Sequence, residues 1–369
     1  MSEKKLGVAI IGFGGMGFWH SGTIAKIPEI TLTGIYDIDP KRTDLASRSD
    51  IPVYAGWEAI LEDPAVDVVT IALPNELHHP KALQAMRAGK HVVCEKPVAM
   101  NYGELKEMLD VAREEKVLFT VHQNRRWDED YLIVKQLYDT ESLGRAIGVE
   151  SRVHGSRGIP GDWRGKKENG GGMLLDWGVH LLDQALQMMG SRKLLRVYGE
   201  LFHITTSEVD DGYRAILHFE DELTFLTEVG TSNFIEMPRW YLQGTNGSAI
   251  VNDWSKKGEV VKISNWEKRD AIPVVTAAGL TKTMAPRTEE TISRFPLPDI
   301  HADITDYYKN IREVVYSAAQ PIVKGGELLK SMCLMETISE AALKGQILPF
   351  AFASETEEKY NAPYPITQR

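Results

Sequence analysis

Leu6-Gly7-Val8-Ala9-Ile10-Ile11-Gly12-Phe13-Gly14-Gly15-Met16-Gly17 is the stretch on which the reading of this chain turns. Leu6–Ile11 is a short, almost wholly apolar run, the pattern of a strand buried on both faces of a parallel sheet. It runs into a G-x-G-x-x-G turn, and a helix is expected to follow through about Ile27. The next apolar run, Leu32–Tyr36, ends on Asp37, twenty residues past Gly17. Strand, glycine turn, helix, strand and acid in that order are the context a dinucleotide-binding turn requires. Gly12 permits the tight turn. Gly14 lets the backbone approach a pyrophosphate at a helix N-terminus, where free N–H groups and the dipole favour anions. Gly17 allows helix to pack closely on strand, and Phe13, Gly15 and Met16 complete the cradle. Asp37 would accept hydrogen bonds from an adenosine ribose and repel a 2′-phosphate. NAD is therefore expected over NADP, with Lys41 and Arg42 nearby as the opposing feature.

Outward from this turn the alternation continues. Helices are expected after Asp39-Pro40 to about Arg48, at Trp57–Leu61, up to Ala88 and from Asn101 to about Glu115. Strands are expected at Val53-Tyr54, Val66–Leu73, His91–Cys94 and Val117–His122. Strands alternating with helices make a doubly wound parallel sheet, whose ligands sit at the carboxyl ends of its strands. Gly12, Asp37, Pro74-Asn75, Glu95-Lys96 and Gln123-Asn124 all fall at such ends. Residues 1–123 are thus read as a nucleotide-binding Rossmann domain.

After residue 123 the texture changes. A helix at Asp130–Asp139 and a strand at Arg145–His154 lead to a glycine-rich, basic loop, Gly155–Asn169, with Trp163-Arg164 at its middle. One helix is expected over Met173–Met189, after the triple glycine Gly170–Gly172. On it Asp176 and His180 are four apart and would share a face. Five strands follow between Leu194 and Val251, with Asn246-Gly247 as a hairpin turn. Strands without intervening helices imply a mostly antiparallel sheet. Asn252–Pro298 reads as polar and irregular apart from Glu259–Ile263. Helices near Ile304–Ala318 and Gly326–Lys344 precede a proline-rich tail. Residues 124–369 are read as an α+β domain that binds substrate and joins oligomers.

Bulk properties exclude several classes. The 369 residues are 43% hydrophobic and 25% charged, ordinary for a globular protein, and no apolar run is long enough to span a membrane. The formal net charge of −10, without a basic cluster, disfavours nucleic acid as a partner. No signal-peptide pattern opens the chain, and two cysteines, Cys94 and Cys333, make no disulfide framework. A reducing, cytoplasmic setting is expected. Both cysteines read as core residues. His78-His79 has no further ligand at suitable spacing, so no metal is expected.

Several patches together resemble the Gfo/Idh/MocA oxidoreductases. They are Gly12–Gly17, Pro74-Asn75-x-x-His78, Gly89–Pro97 with its Glu95-Lys96-Pro97, Asn124-Arg125-Arg126, Gly170–Asp183 and Gly244–Ser248. The resemblance covers nearly the whole chain. It implies a Rossmann domain followed by an α+β domain with an open, largely antiparallel sheet, often the oligomer interface (dimer or tetramer). It implies NAD(P)-dependent chemistry on carbohydrates or polyols, with Lys96, Asp176 and His180 as the catalytic set. It also suggests a cis Lys96–Pro97 bond.

The chemistry of the residues fits that expectation. His180 suits a general base, since a base works best with a pKa near the working pH. Lys96, at a strand end, would polarise the substrate oxygen. Asp176 either orients His180 or binds a substrate hydroxyl, while Asp183 reads as structural. Asn75, His78, Glu95 and Gln123 would lie along the cofactor. Trp163 and Arg164 either reach the cofactor, close over the substrate or pack on the surface. Asn124 and His154 are substrate-contact candidates. Rival readings are a sugar- or NAD-sensing regulator without turnover and an oxidoreductase for a dihydrodiol, a biliverdin-like pigment or a nucleotide sugar.

Overall fold

The computed structural model describes residues 4–268 and 272–366. Its first half alternates strand and helix: β1 (Leu6–Ile11), α1 (Gly15–Ile24), β2 (Ile30–Tyr36), α2 (Pro40–Arg48), α3 (Trp57–Glu62), β3 (Val68–Ile71), α4 (His78–Arg87), β4 (His91–Cys94), α5 (Tyr102–Glu114) and β5 (Phe119–Val121). The five strands form a parallel sheet in the order β2-β1-β3-β4-β5. All six residues of β1 are buried because the strand has neighbours on both edges and helices on both faces. Val53, expected in a strand, makes only an isolated bridge to Ile35.

The second half adds α6 (Glu129–Asp139), β6 (Ala146–His154) and α7 (Val179–Met189), then β7 (Leu194–Phe202), β8 (Gly212–Phe219), β9 (Thr224–Gly230), β10 (Trp240–Gly244), β11 (Gly247–Val251) and β12 (Gly258–Ile263). A short hairpin, β13 (Val274–Thr276) and β14 (Gly279–Thr281), precedes β15 (Ile292–Phe295), α8 (Thr305–Ser317), α9 (Gly325–Lys344), β16 (Leu348–Pro349) and α10 (Ser354–Asn361). Nine strands make one open sheet, β15-β12-β11-β10-β6-β9-β8-β7-β16, antiparallel throughout except for β6 beside β9. Helices α6, α7 and α9 cover one face. Along β8 the alternation is direct: Tyr213, Ala215, Leu217 and Phe219 are buried, while Arg214, Ile216 and His218 between them are half-exposed. The described residues of the polar stretch after Asn252 carry four strands, β12 to β15, where one was expected. Its strand β15 is an edge strand of mixed character, Ile-Ser-Arg-Phe, and carries little signal in sequence.

Two features position the site. First, the helix expected over Met173–Met189 is not uniform. Leu174–Gly178 form a π-turn before α7 begins. Such a turn contains an extra residue and re-aims the side chains on it, so Asp176 and His180 are not simple i, i+4 neighbours. Second, the chain returns to the first sheet after residue 304. The Tyr308 hydroxyl lies 2.9 Å from His20 Nδ1 and 3.0 Å from Thr70 Oγ1, and Tyr364 donates to the Phe119 carbonyl at 2.8 Å. These contacts pin the last part of the chain to α1, β3 and β5 of the first half.

Candidate active site

At the end of β1, Gly12 has φ +85°, and a Cβ there would lie 2.3 Å from the Ala72 carbonyl oxygen. A Cβ on Gly17 would lie 2.0 Å from the Gly12 carbonyl oxygen. Both positions therefore exclude side chains, as the close strand–helix packing requires. Gly14 and Gly15 differ. A Cβ on either would meet nothing within 4 Å, and Gly14 opens α1 without a side-chain cap. The free N–H groups of the first turn thus border open space, which fits a pyrophosphate. Asp37 sits behind this turn, its Oδ2 accepting from Phe13 N at 2.6 Å and its Oδ1 from Asp39 N at 2.8 Å.

A cavity of about 600 Å³ runs from Gly14, Gly15, Met16 and Arg42 past Ala72–Asn75, Glu95 and Lys96 to Asn124, Arg125, Asp162–Arg164, Asp176, Trp177 and His180. It is therefore shared by the first sheet, the basic loop and the π-turn. Asn75 donates to the carbonyl of Gly170, the first of the three glycines, at 3.0 Å. The Lys96–Pro97 bond is cis. Lys96 Nζ donates to Asp176 Oδ1 and to the Asp176 carbonyl, both at 2.9 Å. Arg164, stacked over Trp163, takes the other carboxylate oxygen at 3.0 Å. Burial works to raise the Asp176 pKa, but Lys96 and Arg164 outweigh it and hold the carboxyl below its ordinary value. Asp176 therefore grips Lys96 and Arg164, and no hydrogen bond joins it to His180.

His180 is buried against the edge of the Trp177 ring, and its Nδ1 has no hydrogen-bond partner. Burial first, and then the positive charges of Lys96 and Arg125, push its pKa well below 6.5. The ring is therefore neutral at physiological pH, and it is a weaker base than the free imidazole that the sequence suggests. Glu95 is held on the cavity wall by His20 Nε2 (2.9 Å) and His122 Nδ1 (2.7 Å). Asp183 makes a two-point bridge to Arg126, outside the cavity.

Other residues singled out in the sequence lie elsewhere. His78 is buried between the carbonyl oxygens of Leu73 and Pro97, at 2.8 Å from each, and clamps two strand-end loops to one another. His79 pairs with Glu107. Gln123 is buried and His154 contacts Glu228 at 3.2 Å, and neither lines the cavity. Trp177 and Arg125 do line it. Arg125 lies 4.4 Å from the Trp177 ring centre and 4.9 Å from that of Trp254. Both were adjacent in sequence to residues already singled out, Asp176 and Asn124. Among the described residues, His20, Glu95 and His122 form the one grouping of three His, Cys, Asp or Glu donors close enough to share an ion.

Comparison with known proteins agrees with this architecture. Residues 6–123 match the model of an oxidoreductase family with an NAD-binding Rossmann fold, and residues 131–250 match the GFO/IDH/MocA C-terminal domain. An uncharacterised oxidoreductase of Schizosaccharomyces pombe is 32% identical over 255 residues, 66% of this chain and 69% of the relative. The scyllo-inositol 2-dehydrogenase (NADP(+)) of Bacillus subtilis is 26% identical over 345 residues, 91% of this chain and 94% of the relative. The crystal structure of an NAD-binding protein from Listeria innocua superposes with a TM-score of 0.90 at 42% identity, covering 94% of this chain and all of that one. With both of its domains matched in order and a nucleotide cradle that opens onto a lysine, an aspartate and a histidine, the chain belongs to the GFO/IDH/MocA family of NAD(P)-binding oxidoreductases.

Proposed function

We propose that this oxidoreductase oxidises a secondary alcohol of a carbohydrate or polyol, or reduces the corresponding ketone, with His180, Lys96 and Asp176 as its catalytic residues. The observation that carries the reading is the single cavity in which the glycine cradle and these three side chains meet. When bound, the nicotinamide supplies the redox step. The protein supplies proton transfer and charge stabilisation. His180 Nε2 takes the hydroxyl proton, since Nδ1 is enclosed and the ring is kept neutral. Lys96 Nζ donates to the substrate oxygen as negative charge develops there. Asp176 holds that ammonium in place, and Arg164 closes the far side of the same carboxylate. Trp177 and Asn124 line the same cavity.

The relatives named for polyol and sugar substrates support the substrate class, scyllo-inositol among them. NAD is the preferred nicotinamide in this reading, because the Asp37 carboxylate just past β2 would repel a 2′-phosphate. Arg42, which lines the cavity, leaves NADP as the second cofactor. Residues 1–123 form the cofactor domain and 124–369 the substrate domain. The open sheet of the latter joins copies into a dimer or tetramer. The unpaired cysteines suit the cytoplasm. The test is a screen of polyols, aldoses and inositols against NAD and NADP in parallel, read at the nicotinamide absorbance. Turnover of an inositol or aldose, faster with NAD, is expected. Binding of both cofactors without turnover of any alcohol or ketone would overturn the reading.

A further inference from the structure

Glu95 is a buried carboxylate that, among the described residues, pairs with two histidines and with no lysine or arginine. Its neighbour Lys96 turns away, with Nζ on Asp176. Three other donors hold Glu95 instead: Oε1 accepts from His20 Nε2 at 2.9 Å and His122 Nδ1 at 2.7 Å, and Oε2 accepts from the backbone N–H of Lys96 at 3.1 Å. A carboxylate only accepts, so each imidazole must give its proton to Glu95. The rest of the network follows. His20 Nδ1 is left bare and accepts the Tyr308 hydroxyl at 2.9 Å, and the Tyr308 oxygen accepts from Thr70 at 3.0 Å. His122 Nε2 is buried without a partner between the rings of Trp19 and Tyr307, so a proton there would find no acceptor, which favours the neutral ring with its one N–H on Glu95. Donors that are themselves neutral stabilise a carboxylate without cancelling its charge. A full negative charge therefore stands on the wall of the cofactor cavity.

We propose that His20 and His122 are positioning residues that keep Glu95 as a fixed negative charge in the cofactor cavity, so that the chain binds the oxidised, positively charged nicotinamide in preference to the reduced, neutral one. The inference rests on the family's nicotinamide binding and not on the proposed roles of Lys96 and His180. Its readout is equilibrium binding, so failure of either reading is seen separately. The burial of all three side chains is consistent with it, since charges interact more strongly away from water.

The test is the ratio of NADH to NAD⁺ dissociation constants at pH 8, above the ordinary histidine range, for the full chain and its variants. Glu95→Gln is expected to shift the ratio about tenfold towards NADH, the effect of removing one nearby charge. His122→Leu and His20→Met, which cannot donate, should shift it in the same direction. His122→Asn and His20→Gln place an amide N–H where Nδ1 and Nε2 stood and should restore the wild-type ratio. An unchanged ratio in Glu95→Gln would overturn the proposal. So would equal weakening of both cofactor forms in the donor and non-donor variants alike, which is the mark of a merely structural role. One equivalent of bound divalent metal in the purified protein would also overturn it, because metal-bound nitrogens could not donate to Glu95.

Discussion

Replacing Asp183 by asparagine separates a structural carboxylate on α7 from the proposed catalytic one on the π-turn before it. Asp183 accepts two hydrogen bonds from Arg126, at 2.8 and 2.7 Å, and the side chains are only 3% and 8% exposed. Glu327 gives the same guanidinium a second carboxylate at 3.0 Å. Breaking a buried pair from one side costs about 3–5 kcal/mol, because the remaining charge is stranded. Here Glu327 still compensates Arg126, and the asparagine oxygen still accepts one bond, so about 2–3 kcal/mol is expected. With an unfolding entropy of about 2.1 cal/mol/K per residue, this lowers the melting temperature by roughly 3–4 °C if the chain melts as one unit. Differential scanning calorimetry and urea titration measure it. Activity on the substrate found in the screen should stay within about twofold once the protein is folded. A hundredfold loss of kcat with an unchanged melting curve would refute the reasoning and place Asp183 in the catalytic set.

Three further outcomes follow from the same geometry. Because burial, Lys96 and Arg125 push the His180 pKa well below 6.5, kcat/KM for alcohol oxidation should hold as pH falls through 6.5 and decline only at lower pH; a midpoint at or above 6.5 would contradict this. Asp210, which accepts from Leu174 N at the start of the π-turn, has its pKa pushed up to about 6, chiefly by burial. A folded-state pKa raised above the unfolded value gives stability that is present below about pH 3.8 and lost as pH rises through 6. Asp210→Asn should therefore stabilise the fold above pH 6, by up to about 3 kcal/mol, and have little effect near pH 3.5, as urea titration at the two pH values would show. In Gly17→Ala the new Cβ would meet the Gly12 carbonyl at 2.0 Å and force α1 off β1. At about 1–3 kcal/mol for such overpacking, nicotinamide affinity should fall roughly ten- to hundredfold in a fluorescence titration.

What could be read in the residues was whatever local chemistry determines. The strand–glycine turn–acid unit at Leu6–Asp37 has one geometry open to it, and the structure shows it. The Asn101 and Asp39 caps also lie where helices begin. Apolar periodicity did not show the π-turn at Leu174–Gly178, because an extra residue in one turn leaves the apolar count almost unchanged. It therefore did not show that Asp176 turns to Lys96 and Arg164. His180 stood out through its spacing from Asp176 and Lys96 through its place at a strand end, and the family motifs added to both. The His20–Glu95–His122 network was illegible for another reason. Its members come from α1 and from the ends of β4 and β5, and only the packing of the sheet brings them together. The return of α8 to the first sheet, through Tyr308, is equally non-local.

In the proposed reaction Lys96 and His180 perform the proton chemistry in a cavity that binds the cofactor without their help. The most direct measurement is kcat together with the nicotinamide dissociation constant for Lys96→Ala and His180→Ala, on a substrate identified by the screen. Each variant should lose about a hundredfold or more in kcat, the scale of a missing proton-transfer group, while cofactor affinity changes by only a few-fold. Turnover close to that of the unaltered protein in both variants would contradict the claim.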